Sequence, residues 1–157
     1  MVYGTYKSDL STDERVLMAI VRAAEIFRRN HSGIFRNYGL TFPQYNVLRV
    51  LEASSRNGRN KISDVSRIML VPGANITGIA KRLEKDGFII KKSDAADERV
   101  TILEITPKGK RTLKNIVKEK DERLGLMLKD LSKNQKLELL GKVKRILKNG
   151  MPKKQSA

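Results

Sequence analysis

A mainly α chain of the α+β class, with about six helices and a single β-hairpin, is what this sequence predicts. Three observations carry the prediction. Apolar residues recur at helical spacing over both ends of the chain. In one short segment that spacing gives way to alternation. Helix-starting signals, a Ser or Thr three residues ahead of a Glu or Gln, stand before three of the helical stretches.

The first helix opens at STDE, where Ser11 and Glu14 form a capping box. Val16, Ile20, Ala23, Phe27, Ile34 and Tyr38 follow at helical spacing, Leu17, Val21 and Ala24 widen the stripe, and Gly39 ends it. So broad a face suits burial against more than one neighbour. In LTFPQYNVLRVLEAS, Thr41 and Gln44 repeat the capping box, and Pro43 falls in the first turn, where its missing N–H is no loss. Tyr45, Val47, Leu48 and Leu51 form the inner face of this second helix. SSRNGRNK, Ser54 to Lys61, reads as a loop from its Ser, Asn and Gly content.

ISDVSRIML, Ile62 to Leu70, is a short helix, and VPGAN turns into another that runs from about Pro72 to Asp86. That helix carries Ile76, Ile79, Ala80 and Leu83 on one side. Asn75, Thr77, Gly78, Lys81, Arg82 and Lys85 lie on the other, and Gly87 is a suitable end. FIIKKS and RVTILEI flank the loop DAADE, which makes a hairpin. Thr106 as N-cap and Pro107 at the first position start the next helix. Leu113, Ile116, Val117, Leu124 and Met127 carry it to about Leu128. SKNQ, from Ser132, opens the last helix, with Leu137, Leu140, Val143 and Leu147 ahead of Gly150. MPKKQSA is read as a frayed tail.

Lys and Arg number 33 against 17 Asp and Glu, giving a net charge of +16 and a pI near 10.3. A heat-adapted surface raises glutamate along with lysine, and here the acids lag, so a polyanion is the expected partner. Cysteine is absent, which excludes disulfides, thiolate metal sites and cysteine-based redox sensing. The single histidine, His31, is too little for a zinc site, so no metal is expected. No apolar run spans a bilayer, and MVYGTYKSDLSTDERV lacks the core of a signal peptide, so a cytoplasmic protein without membrane association is expected. No nucleophile–base pair, Gly-rich phosphate loop or carboxylate pair argues for an enzyme, and no cofactor is implied.

Two short helices, a turn and a hairpin, in that order, make a winged helix-turn-helix. The helix from about Pro72 has the chemistry for a major groove: small and polar residues at its start, with Asn75 and Thr77 able to offer hydrogen bonds. Lys81, Arg82 and Lys85 lie further along, where phosphates would be. The same residues also suit an ordinary solvated face, and Arg82 an internal ion pair. The order of elements favours DNA.

Three phrases carry a family resemblance. Asp97-Glu98-Arg99, then VTILE, then Ile105-Thr106-Pro107-Lys108-Gly109 resembles the wing pattern D-x-R, apolar strand, L-T-x-x-G of the MarR family of transcriptional regulators, with Ile for Leu as the one departure. NITGIAKRLEKDGFI is similar to that family's recognition helix, and LTFPQYNVL to its second-helix opening. The resemblance covers nearly the whole chain and implies a DNA-binding regulator. It implies that Arg99 enters a minor groove while Asp97 holds the guanidinium or the wing backbone. The pair would equally serve as a hairpin-stabilising contact. It further implies a winged region over 40–106, dimerisation helices over 11–38 and 107–149, and a flexible tail over 150–157.

The expected function is thus a homodimeric repressor on a pseudo-palindromic operator. It would be released by a small aromatic or anionic effector near His31, Tyr38, Phe42 and Tyr45. Two other classes remain beside it: a sequence-tolerant architectural DNA-binding protein, and a helical module for acidic proteins.

Overall fold

The structure, a computed structural model, describes residues 10–54 and 57–151. In chain order it holds α1 (Thr12–Asn37), α2 (Phe42–Glu52), β1 (Arg59–Lys61), α3 (Ile62–Met69), α4 (Gly73–Lys85), β2 (Ile89–Ser93), β3 (Thr101–Ile105), α5 (Pro107–Met127) and α6 (Lys133–Gly150). The chain divides into two compact units, Met1–Val117 and Lys118–Ala157.

In the first unit the predicted starts and stops are met almost residue for residue. Ser11 Oγ accepts from the Glu14 amide at 3.2 Å, although the return bond expected from Glu14 is not among those described. Thr41 and Gln44 exchange both bonds of their capping box, at 2.7 and 3.4 Å. Gly39 leaves α1 with φ +71°, a conformation that costs glycine little. The C-terminal half of α1 buries His31, Ile34 and Phe35, while Val16, Leu17 and Val21 near its start stay exposed. Phe35 stacks on Tyr45 of α2 at 4.2 Å, and Phe42 meets both Phe27 and Phe35. Val47, Leu48 and Leu51 of α2, Val65 of α3, and Ile76, Ala80 and Leu83 of α4 complete the core together with Leu103 and Leu113.

The segment Ser54 to Lys61 is not all loop. Its last three residues form β1, which pairs antiparallel with β3, so the sheet has order β1-β3-β2 rather than being a lone hairpin. RNK carries no β-branched or aromatic residue to announce a strand. It pairs because β3 offers an open edge and because charge locks the register: Arg59 faces Glu104 at 2.9 Å, and Lys61 reaches Asp94 at 3.2 Å. Gly58, at φ +83° and with its Cβ position 2.6 Å from Ile105, leads the chain into that edge.

At Thr106 four segments meet. Its hydroxyl lies 2.8 Å from Gly87 O and 3.1 Å from Phe88 O, so its proton is shared between the end of α4 and the start of β2. The same oxygen accepts from the Gly109 amide at 3.1 Å, which caps α5. Gly109 is held against this junction so closely that an added Cβ would stand 2.6 Å from Phe88 O and 2.7 Å from Ile105.

The second unit contains the rest of α5 and α6. Ser132 and Gln135 form the expected capping box, at 2.8 and 3.3 Å. Leu137, Leu139, Leu140 and Leu147 of α6 are exposed, as is Leu126 of α5. The tail read as frayed lies, from residue 152 on, outside the described residues. No described helix is long and apolar enough to cross a membrane.

Replacing Gly109 with alanine is expected to destabilise the fold by about 1–3 kcal/mol, since the obstacle is backbone and a packed isoleucine rather than a flexible tip. Thermal unfolding reads this directly. An unchanged melting temperature would mean that the junction has slack the structure does not contain.

Candidate nucleic-acid interface

The helix pair α3–α4 is built differently from the other helices. Thr106 caps α5, and α1, α2 and α6 each have a side-chain N-cap, whereas α3 and α4 have none. The sequence already carried this signal, because Pro72 stands where Ser, Thr, Asp or Asn would serve. An uncapped N-terminus leaves amides and positive dipole free for an anion. The turn before α4 is nevertheless firm. Ser66 Oγ donates to Val71 O at 2.5 Å, the Val71 amide returns to Ser66 O at 3.1 Å, and Leu70 takes the left-handed conformation at φ +54°.

On α4 the buried side is Ile76, Ala80 and Leu83, as the periodicity requires. Asn75, Thr77, Lys81, Arg82 and Lys85 are all exposed, and Gly78 is half-buried. No ion pair joins Arg82 to an acid among the described residues, so the internal-pair reading of Arg82 gains no support. Asn75, Gly78 and Arg82 line a cleft of about 630 Å³ toward Pro43 and Asn46 of α2 and its N-cap Thr41. The Thr77 hydroxyl donates to Gly73 O at 3.1 Å, so in the free chain its proton is directed back to its own helix. Ala74, also exposed at the start of α4, was not singled out from sequence because alanine carries no polar signal.

Gly33, Gly78, Gly125 and Gly141 are mid-helix glycines that contacts inside the described chain do not explain, and Gly78 is the one of them that lies on α4. Its backbone is helical, and no atom lies within 4 Å of where its Cβ would be. A mid-helix glycine costs about 1 kcal/mol relative to alanine. Neither packing nor backbone conformation inside the chain requires it.

The wing is braced by its own acids. Asp97 Oδ1 accepts from the Arg99 amide at 3.0 Å, and Asp94 Oδ1 from the Ala96 amide at 3.0 Å. Asp94 N to Val100 O and Val100 N to Asp97 O, both 2.9 Å, close the turn. Of the two roles expected of Asp97, the structure therefore contains the one on the backbone. The exposed Arg99 guanidinium has no ion-pair or hydrogen-bond partner among the described residues.

Further acids tie the wing to the helices. Lys91 Nζ meets Glu84 of α4 at 2.8 Å, and its amide donates to the same carboxylate at 3.2 Å. This lysine holds the Glu84 carboxyl below its ordinary range. Glu104 receives Lys92 at 2.7 Å and Arg59 at 2.9 Å. The Lys92 bond, with Arg59 adding to it, outweighs partial desolvation and lowers the Glu104 carboxyl. A folded-state value below the unfolded one makes these contributions present at neutral pH and lost as acid protonates the carboxylates.

The four residues expected near an effector are not gathered in one crevice. His31 and Tyr45 are core residues, and the His31 ring packs tilted against Phe27 at 4.4 Å with Nδ1 hydrogen-bonded to Phe27 O at 2.8 Å. Phe42 lines the cleft beside α4, whereas Tyr38 lines a separate one with Asp86, Phe88 and Lys108.

The sequence profile described as transcriptional regulator SarA/Rot matches residues 30–116. The HTH-type transcriptional regulator TtmR of Methylorubrum extorquens (strain PA1) is 34% identical over 100 residues, which is 64% of this chain and 50% of TtmR. The match thus spans about half of that relative's length. Sco3205, a MarR family transcriptional regulator from Streptomyces coelicolor solved in complex with DNA, superposes with a TM-score of 0.79 at 18% identity, covering 96% of this chain and 95% of its own. NadR, solved in complex with 4-hydroxyphenylacetate, gives 0.74 at 22% identity, covering 91% and 97%.

If Gly78 is kept bare for a partner, Gly78→Ala should separate stability from binding. The free protein is expected to gain about 0.5–1 kcal/mol, while affinity for duplex DNA falls. Unfolding and fluorescence anisotropy read the two quantities separately. A variant that is stabilised and binds as well as before would remove the close-approach role.

Proposed function

The chain belongs to the SarA/Rot family of MarR-like winged-helix transcriptional regulators, and on that premise we propose a homodimer that represses transcription from a pseudo-palindromic operator. The observation that carries the reading is the Arg99 guanidinium, without an ion-pair or hydrogen-bond partner among the described residues, on a turn where Asp94 and Asp97 accept from backbone amides. A guanidinium so presented suits a minor groove, where a narrow channel concentrates negative potential. Two α4 helices would enter successive major grooves about 34–36 Å apart. Asn75, Thr77 and Gly78 would face bases, with Lys81, Arg82 and Lys85 on phosphates. Asp97 would act indirectly, by positioning Arg99.

The dimer reading rests on exposed apolar side chains: Val16, Leu17 and Val21 on α1, and Leu137, Leu140 and Leu147 on α6. Exposed apolar stripes on each of these helices suit an interface with a second copy. The proposed division keeps 40–106 for DNA and gives 11–38 and 107–149 to the dimer. A cytoplasmic location accords with a DNA partner.

For an effector, the cleft beside α4 offers apolar walls at Phe42, Met69 and Ile79 and a cation at Arg82, which suits a small aromatic anion. Such a molecule would act by favouring a dimer geometry that no longer fits the operator. The net charge of +16 favours, as a second reading, sequence-tolerant coating of DNA. A specific-to-random affinity ratio near one would decide for that alternative.

Arg99→Ala should weaken operator binding by roughly tenfold or more while leaving the melting temperature unchanged, and should make the salt dependence shallower. Equal affinity in anisotropy titrations would exclude the minor-groove role. Separately, Leu137→Asp combined with Leu140→Asp should yield monomer or aggregate in sedimentation. A well-behaved dimer would refute the interface assignment.

A further inference from the structure

The first two turns of α4 read GANITGIA, Gly73 to Ala80, with no lysine or arginine. The commonest guanine contact, a cationic side chain on O6 and N7, therefore has no donor where a recognition helix normally meets base edges. The exposed side chains in this stretch are Ala74, Asn75 and Thr77.

Thr77 has a single hydroxyl proton, and it is engaged by Gly73 O at 3.1 Å. What remains for an approaching base is the Cγ2 methyl and the acceptor lone pairs of the oxygen. Ala74, three residues earlier and on the same face, adds a second methyl. Gly78, four residues after Ala74, adds no side chain and leaves the surface open, with nothing within 4 Å of its Cβ position. This surface is apolar, shallow and short of donors. In a major groove the complementary feature is the 5-methyl group of thymine, the one apolar group any base presents there.

We infer that Thr77 determines specificity through its methyl group, distinguishing thymine from cytosine by the thymine 5-methyl with Ala74 beside it, and does not donate a hydrogen bond to DNA. Asn75, on the other flank of α4, has no side-chain hydrogen bond among the described residues and carries the paired donor and acceptor that adenine N7 and N6 require. The inference rests on α4 being the groove-entering helix.

The test uses the full chain and duplexes recovered from random sequence by binding to the wild-type protein. Each thymine of a half-site is replaced in turn by deoxyuridine, which removes only the methyl. Affinities are measured at one salt concentration for wild type, Thr77→Ser, Thr77→Val and Asn75→Ala, with melting temperatures confirming the fold. In wild type, uracil at one thymine position should cost roughly fourfold per half-site, the worth of one buried methyl group. Thr77→Ser should bind the thymine duplex as weakly as wild type binds the uracil duplex, and should ignore the replacement. Thr77→Val should keep both the affinity and the sensitivity to uracil. Loss of binding in Thr77→Val with retention in Thr77→Ser would make the hydroxyl the reading group and overturn the inference. Indifference of wild type to uracil at every position, with Asn75→Ala still weakened, would overturn it while leaving α4 in the groove. If no variant and no replacement changes affinity, α4 is not the reading helix, and both readings fall.

Discussion

The hydroxyl of Thr106 is the point on which the first unit is hung. It links Gly87 O and Phe88 O, where α4 ends and β2 begins, to the amide of Gly109 in the first turn of α5. Lys108 adds a bond to Asp86 O at 2.6 Å and lies over the Phe88 ring at 4.6 Å. The bareness of Gly109 is what lets these segments approach. One residue therefore fixes the far end of α4, the root of the wing and the start of α5.

The same economy governs charge. In a chain at +16, acids are scarce, and four of those around the wing hold its geometry. Asp94 and Asp97 shape the turn, Glu104 joins β1 to β2 across β3, and Glu84 fastens β2 to α4. Lys61, Lys91, Lys92 and Arg59 are the cations these acids engage, whereas Arg99 on the turn and Arg82 on α4 have no ion-pair partner among the described residues. A polyanion approaching this surface meets cations whose competing partners have been placed elsewhere. Exposed ion pairs of this kind add little stability singly, about 0–1 kcal/mol each. Their value here is in holding positions.

Much of this was legible in the sequence, because the deciding signals are local. Capping boxes at Thr41 and Ser132, Gly39 past the first helix and Thr106-Pro107 ahead of the fifth each act through neighbours a few residues away. What escaped was set by distant partners. β1 exists because β3 has an open edge and Glu104 waits opposite Arg59, a relation spanning 45 residues. The burial of His31 follows from its stretch of α1 packing on α2, where Phe42 meets Phe27 and Phe35 and Tyr45 stacks on Phe35, not from any property of a histidine on a helix. The back-bond of Thr77 to Gly73 is local, but a threonine in a helix can hold its hydroxyl in either of two rotamers, so only coordinates decide it. At the wing, D-x-R left the target of Asp97 open between guanidinium and backbone. The structure gives the backbone.

The central claim is that two copies of the chain read one duplex, helices in major grooves and Arg99 in the flanking minor grooves. Hydroxyl-radical footprinting on a fragment recovered by binding selection tests it most directly. The account predicts protection on both strands with dyad symmetry, two half-sites about one helical turn apart, and outer protected segments that disappear when Arg99 is replaced. A footprint without a dyad, or uniform protection that ignores sequence, would contradict it.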